Sequence, residues 1–155
     1  MYTKIVGTGS YLPKKVLTND DIAQLVDTND EWIRERTGIQ SRHIVEDETT
    51  VTMASMAAKD ALENANLQPE DIDLIIVATV SADNLLPSTA CSVQKELGAV
   101  NATAFDINAA CSGFLFALNT ADAYIKTGMY KNALLIGVET LSKIVDWNDR
   151  GTCIL

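Results

Sequence analysis

The spacing of apolar and polar positions changes period several times along the chain, and each change marks an element. Ile5-Val6-Gly7 reads as a short opening strand. From Thr18, the apolar residues Ile22, Leu25 and Val26 recur at helical spacing, and Thr18 followed by Asp21 has the form of a capping box. Thr28-Asn29-Asp30-Glu31 repeats this start signal for a second short helix, closed by Gly38. Trp32 and Arg36 are four apart on it and share one face. A longer helix rich in Ala and Met is predicted over 50–64. After Pro69, the run LIIVATV between Asp73 and Ser81 is unbroken, as in a strand buried on both faces of a largely parallel sheet. Pro87-Ser88 opens a further helix that stops near Gly98, and residues 103–107 form a short strand. Residues 112–127 read as a helix with Phe114, Leu118, Ala121 and Ile125 on one face and Gly128 as its stop. Ala133 to Glu139 is the next buried strand, and Gly151 to Leu155 has the look of another beginning.

The resulting order, β-α-α-α-β-α-β-α-β, defines an α/β layered fold. No repeat, linker or low-complexity stretch interrupts it. A length of 155 residues fits one ordinary domain or half of a larger one. A chain ending within a strand leaves an unpaired edge, so further polypeptide is expected downstream. Composition narrows the function classes. With 47% apolar residues the chain can build a packed core, and a formal net charge of −9 argues against a general nucleic-acid binder. The N-terminus lacks the basic lead and apolar run of a secretory signal. No stretch approaches the roughly 18 apolar residues of a membrane span. The three cysteines, Cys91, Cys111 and Cys153, form no CxxC pair, which disfavours zinc or a dithiol centre. Free thiols in a reducing, cytoplasmic setting fit best.

One cysteine has a setting of its own. Cys111 lies in Ala109-Ala110-Cys111-Ser112-Gly113-Phe114, between the strand 103–107 and the helix that follows. Unpaired N–H groups and the positive end of the helix dipole favour a thiolate there. The same N–H groups can hold an oxyanion during acyl transfer, and small neighbours leave room for a thioester. In α/β sheets, ligands collect beyond the carboxyl ends of strands, which is this location. A free cysteine is also among the most buried residue types, so the alternative is a small apolar residue filling a core. For Cys91, inside a helix, and Cys153, inside a strand, packing is the better reading. His43, the one histidine, sits in a polar stretch and reads as a surface or structural residue.

These residues carry a family resemblance. The chain resembles the N-terminal half of the β-ketoacyl-acyl-carrier-protein synthase III family through GTGSYLP at 7–13, TNDEWIRERTGI at 28–39, SRH at 41–43, the Pro87-Ser88 turn, AFDINAACSGF at 104–114 and DRGT at 149–152. The resemblance implies a thiolase-like fold: a layered αβα half, spanning residues 1–155, with a mostly parallel mixed sheet, dimeric and completed by a second half. It implies an acyltransferase that initiates type II fatty-acid synthesis. Cys111 would attack an acyl-CoA primer, and malonyl-acyl carrier protein would then condense with the acyl-enzyme. Acyl-CoA is a substrate, and neither a cofactor nor a metal is implied. The family's His and Asn belong to the second half, and His43 matches neither position.

Further positions follow from the same resemblance. Trp32 and Arg150 match a pair that sandwiches the CoA adenine, Thr28 a polar contact to it, and Arg36 a phosphate contact. An indole face and a guanidinium plane both stack well on a base. By themselves, the residues read rather as structural: Trp32 as a half-buried anchor of its helix, Thr28 as an N-cap, and Arg36 as a solvated charge at a helix end. Leu86 and Leu141 match positions lining the acyl pocket, Leu86 reaching across the dimer. Two other readings stand beside the synthase: a non-catalytic fragment that binds CoA or acyl groups, and another thiolase-fold synthase.

Overall fold

The computed structural model describes residues 2–152. These divide into two compact units, residues 2–11 with 49–139 and residues 12–48 with 140–152.

The first unit is built on a parallel sheet of three strands: β3 (Leu74–Ala78), β4 (Thr103–Ile107) and β5 (Ala133–Gly137). Their order is β4-β3-β5, with Leu74 opposite Thr103 on one side and Ala133 on the other. The central strand is buried along its whole length, as its uninterrupted apolar run predicts. Leu74 and Ile76 pack on Ala117 and Ala121 of α5 (Gly113–Lys126). Ile75 and Val77 alternate to the other face, the side of α3 (Thr50–Ala65) and α4 (Thr89–Leu97). The three layers are therefore α, β and α, around a sheet that is parallel throughout.

The helix limits follow from local chemistry. Thr49 caps α3 by accepting from Thr52 N–H, and Ser88 caps α4 by accepting from Cys91 N–H. Gly98 closes α4 at φ +77°, a conformation in which a side chain is strained. The face α5 buries matches the expected one at Ala121 and departs from it at Phe114. Gly113, Ala117 and Ala121 point inward, while Phe114 is about half exposed. A Cβ at Gly113 would stand 3.1 Å from the Ala78 Cβ, so a small-residue stripe is what lets α5 lie close on β3.

The expected opening strand at 5–7 does not form. Among the described residues, 2–14 have no ladder partner, and Ile5 and Val6 are 70% and 56% exposed. Their polar groups instead meet side chains: Thr3 donates to Asp122 at 2.6 Å, Ser10 N–H to Asp60 at 2.9 Å, and Asn64 to the Thr8 carbonyl at 2.8 Å.

The second unit holds two short strands that the pattern did not reveal, β1 (Lys15–Thr18) and β2 (Ser41–Ile44), paired antiparallel. Between them lie α1 (Asn19–Ala23) and α2 (Asp30–Thr37). Thr18 and Asp21 form the expected capping box. Asn29, not Thr28, caps α2, accepting from Trp32 N–H at 2.8 Å. Ile22 and Ile33 are the core of this unit, with Trp32 and Trp147 packed against them. Gly151 and Thr152 lie in a turn rather than a strand. The rest of the strand expected there, and Cys153, lie outside the described residues.

Candidate active site

Strand β4 delivers the chain to Cys111 through a strained turn. Ala109 has φ −149° and ψ 29°, and Ala110 then adopts φ +45°, one of two non-glycine residues at positive φ among the described residues. A left-handed alanine costs about 1 kcal/mol or more, so the turn is held by what surrounds it. Ser112 N–H donates to the Ala109 carbonyl at 3.1 Å, forming a single 3-10 turn over Ala110–Ser112, and α5 starts at once with the buried Gly113. The result presents Cys111 as an exposed free thiol at the carboxyl end of the sheet, immediately before the N-terminus of α5. Within this chain the Cys111 thiol is exposed rather than packed in a core. Cys91 is exposed as well. It faces solvent on α4 with its thiol 3.7 Å from the Ala104 carbonyl, because the inward face of α4 is taken by Ala90 and Val93.

Leu86 belongs to the same unit, on the segment between β3 and α4, and is 87% exposed. Leu141 belongs to the second unit, at the start of a 3-10 turn, Leu141–Lys143, and is also exposed.

In the second unit the structure brings three of the sequence-derived residues together. The Arg36 guanidinium carbon lies 4.4 Å from the centroid of the Trp32 ring, and that of Arg150 lies 4.7 Å from it. Trp32 thus has two roles: it packs on Ile22 and Ile33, and it offers ring surface to cations. Thr28 is nearby in sequence but not a cap. Its hydroxyl oxygen is buried without a hydrogen-bond partner, which leaves a donor and an acceptor available.

The support beneath α2 was not legible in the sequence. Asn19 is buried and donates to Asp30 at 2.8 Å and to the Ile39 carbonyl at 2.7 Å, while accepting from Arg42 at 2.9 Å. Asn19 chiefly, with Arg34 adding to it, holds the Asp30 carboxyl below its usual range. His43 projects from β2, where its Nδ1–H donates to the Pro13 carbonyl at 2.6 Å. Among the described residues no group of three His, Cys, Asp or Glu side chains is arranged to hold a metal ion, and no helix is long and apolar enough to cross a membrane.

Known proteins share this architecture. The structure superposes on 3-oxoacyl-[acyl-carrier-protein] synthase III of Aquifex aeolicus with a TM-score of 0.97 and 59% identity, over 99% of this chain and 50% of that one. It superposes on the priming β-ketosynthase of the R1128 polyketide pathway with a TM-score of 0.96 and 37% identity, over 99% of this chain and 46% of that one. By fold, the chain is of the thiolase-like class. The profile of the 3-oxoacyl-[acyl-carrier-protein] synthase III family matches residues 105–155. The β-ketoacyl-[acyl-carrier-protein] synthase III of Clostridium acetobutylicum is 59% identical over 152 residues, 98% of this chain and 47% of that protein. The chain belongs to the synthase III family, and it spans about half the length of the curated relatives it matches.

Proposed function

We propose that the chain is the acyl-accepting half of a synthase III that starts type II fatty-acid synthesis. The observation that carries this reading is the exposed thiol of Cys111 on a strained turn at the start of α5. The Cys111 thiolate attacks the carbonyl carbon of an acyl-CoA primer. Backbone N–H groups at the start of α5 stabilise the oxyanion. The carbon–sulfur bond to CoA breaks, CoA leaves as a thiolate that takes up a proton, and the acyl group stays on Sγ as a thioester. Malonyl-acyl carrier protein then loses CO2, and its carbanion attacks the acyl carbonyl. A β-ketoacyl-carrier product leaves and the thiolate is regenerated.

That second step calls for groups that stabilise the decarboxylation, and the reading assigns them to a His and an Asn on a second half. Trp32 and Arg150 stack the adenine, Thr28 supplies a polar contact to it and Arg36 a phosphate contact. The clustering of both guanidinium groups on the Trp32 ring and the unpartnered Thr28 hydroxyl support this assignment. Leu86 and Leu141 line the acyl pocket, with Leu86 crossing a homodimer. Leu in place of a bulky aromatic admits branched primers, so turnover with isobutyryl-CoA should rival that with acetyl-CoA. Strict acetyl preference counts against it. The enzyme works in the cytoplasm with acyl-CoA as substrate and no cofactor.

Incubation with acetyl-CoA followed by intact mass tests the reading. One acetyl group is expected on the chain and none on Cys111→Ala. A folded chain that takes no acetyl group contradicts it and leaves a non-catalytic CoA- or acyl-binding fragment. The likeness to a polyketide priming ketosynthase keeps a second synthase reading open, which shares the acylation step and is separated by product analysis.

A further inference from the structure

Glu139 is an acidic side chain at the carboxyl end of the parallel sheet that acyl transfer leaves unused. Glu139, two residues past β5, turns back onto the segment that follows β3. Its Oε1 accepts from Val80 N–H at 3.0 Å, and its Oε2 accepts from the hydroxyls of Ser81 at 2.5 Å and Thr79 at 3.4 Å. Thr79 is buried, and its N–H donates to the carbonyl of Ile107 at 3.2 Å, the last residue of β4 and four residues before Cys111. The far end of the segment is fixed separately. Thr50 donates to the Ser81 carbonyl at 2.6 Å, and Asp83 accepts from the N–H groups of Thr50 and Val51. Between these ties stands Val80, an apolar side chain that is 42% exposed. With Ala82 and Leu85 it forms the apolar part of a cleft of about 380 Å³ whose remaining lining is polar: Thr79, Asp83, Asn84, Asp106 and Asn108. Asn108 belongs to the turn that leads to Cys111. A carboxylate thus holds an apolar wall residue by its backbone, beside the loop that bears the thiol.

We propose that Glu139 is a positioning residue that sets acyl-chain selectivity by fixing Val80 at the wall of this cleft. The proposal rests on the reading of Cys111 as acyl acceptor. With Glu139 truncated, the Val80 amide loses its acceptor, the Thr79–Ser81 segment relaxes and the cleft widens. A short acyl group does not reach that wall and gains little, whereas a long one gains room.

The test uses the 155-residue chain and Glu139→Ala, Glu139→Asp and Glu139→Gln. Each is exposed to acetyl-CoA and to octanoyl-CoA with Cys111 scored by mass, to iodoacetamide, and to amide hydrogen exchange. For Glu139→Ala, protection at Val80 is lost and the octanoyl-to-acetyl ratio rises by about tenfold, the scale of a methylene-sized change in an apolar pocket. Alkylation of Cys111 by iodoacetamide keeps its wild-type rate, which separates altered selectivity from a damaged thiol. Glu139→Gln restores the wild-type ratio, because one amide oxygen still accepts from Val80. If Glu139→Ala does not fold, Glu139→Asp, one methylene too short, carries the same expectation. Retained protection at Val80, or lost protection with an unchanged ratio, overturns the proposal. A wild-type chain that accepts neither acyl group overturns the acyl-acceptor reading itself and the proposal with it, an outcome distinct from an unchanged ratio in a chain that accepts both.

Discussion

Truncating Asp106 probes how β4 is coupled to α4. Asp106 sits in the strand that leads to Cys111, and its two oxygens accept from the first two amides of α4: Oδ2 from Thr89 at 2.8 Å and Oδ1 from Ala90 at 2.7 Å. Those amides have no acceptor within the helix, and both residues are almost fully buried, at 2% and 0% exposed. The cap residue Ser88 serves only the third amide, that of Cys91, at 3.2 Å. Asp106→Ala therefore strands two buried N–H groups. A hydrogen bond to an ionised acceptor is worth about 1.5–3 kcal/mol. Two bonds sharing one carboxylate add incompletely, which gives a loss of about 3–5 kcal/mol. Asp106→Asn keeps one oxygen acceptor and turns an NH2 group toward the other amide, so it should lose about half as much. Urea unfolding followed by far-UV circular dichroism reads both values, with the slope unchanged if only stability moves. Asp106→Ala within about 1 kcal/mol of wild type, or Asp106→Asn costing as much as Asp106→Ala, refutes the two-amide account.

Three further expectations follow from the site. Trp32→Ala should weaken CoA binding by about 1–2 kcal/mol, roughly 5- to 30-fold, with Trp32→Phe between it and wild type; unchanged affinity by calorimetry removes the stacking role. Asp30 titrates below its ordinary range chiefly because Asn19 donates to it, so its contribution to stability is complete above the ordinary aspartate range and is lost as pH falls through the depressed value. In Asn19→Ala the Asp30 titration, followed by carboxyl NMR, should move up towards the unperturbed range; an unmoved titration assigns the depression elsewhere. Ala110→Gly should raise stability by about 0.5 kcal/mol, since relief of the left-handed alanine slightly exceeds the added chain entropy. A lower melting temperature speaks against the strained turn.

Elements whose cause is local were the legible ones. The apolar run of β3, the capping box at Thr18 and Asp21, and the glycine stops at Gly38 and Gly98 are each written in a few neighbouring residues. The pair β1 and β2 escaped because each strand has four residues and its stability comes from a partner far along the chain. Ile5-Val6 looked like a strand, but no ladder partner stands beside it among the described residues. On α5, Ala121 goes inward as expected, but Phe114 does not: Gly113 and Ala117 take the inward places because only small side chains fit against β3. Cys111, Trp32, Arg36 and Arg150 were singled out by their motifs, and the last three lie together in the structure. Asn19 and Glu139 were not, since a buried amide and a carboxylate at a strand end gain meaning only from partners remote in sequence.

Cys91 and Cys111 are both exposed free thiols, and only Cys111 stands on the turn before α5. Timed exposure of the chain to acetyl-CoA, followed by peptide mapping of both cysteines, compares the two settings within one molecule. Acetylation of Cys111 should outpace that of Cys91 by at least about tenfold, a difference of about 1.4 kcal/mol in the barrier. Equal labelling would mean that exposure alone governs the chemistry, and would contradict the assignment of Cys111 as the acyl-accepting nucleophile.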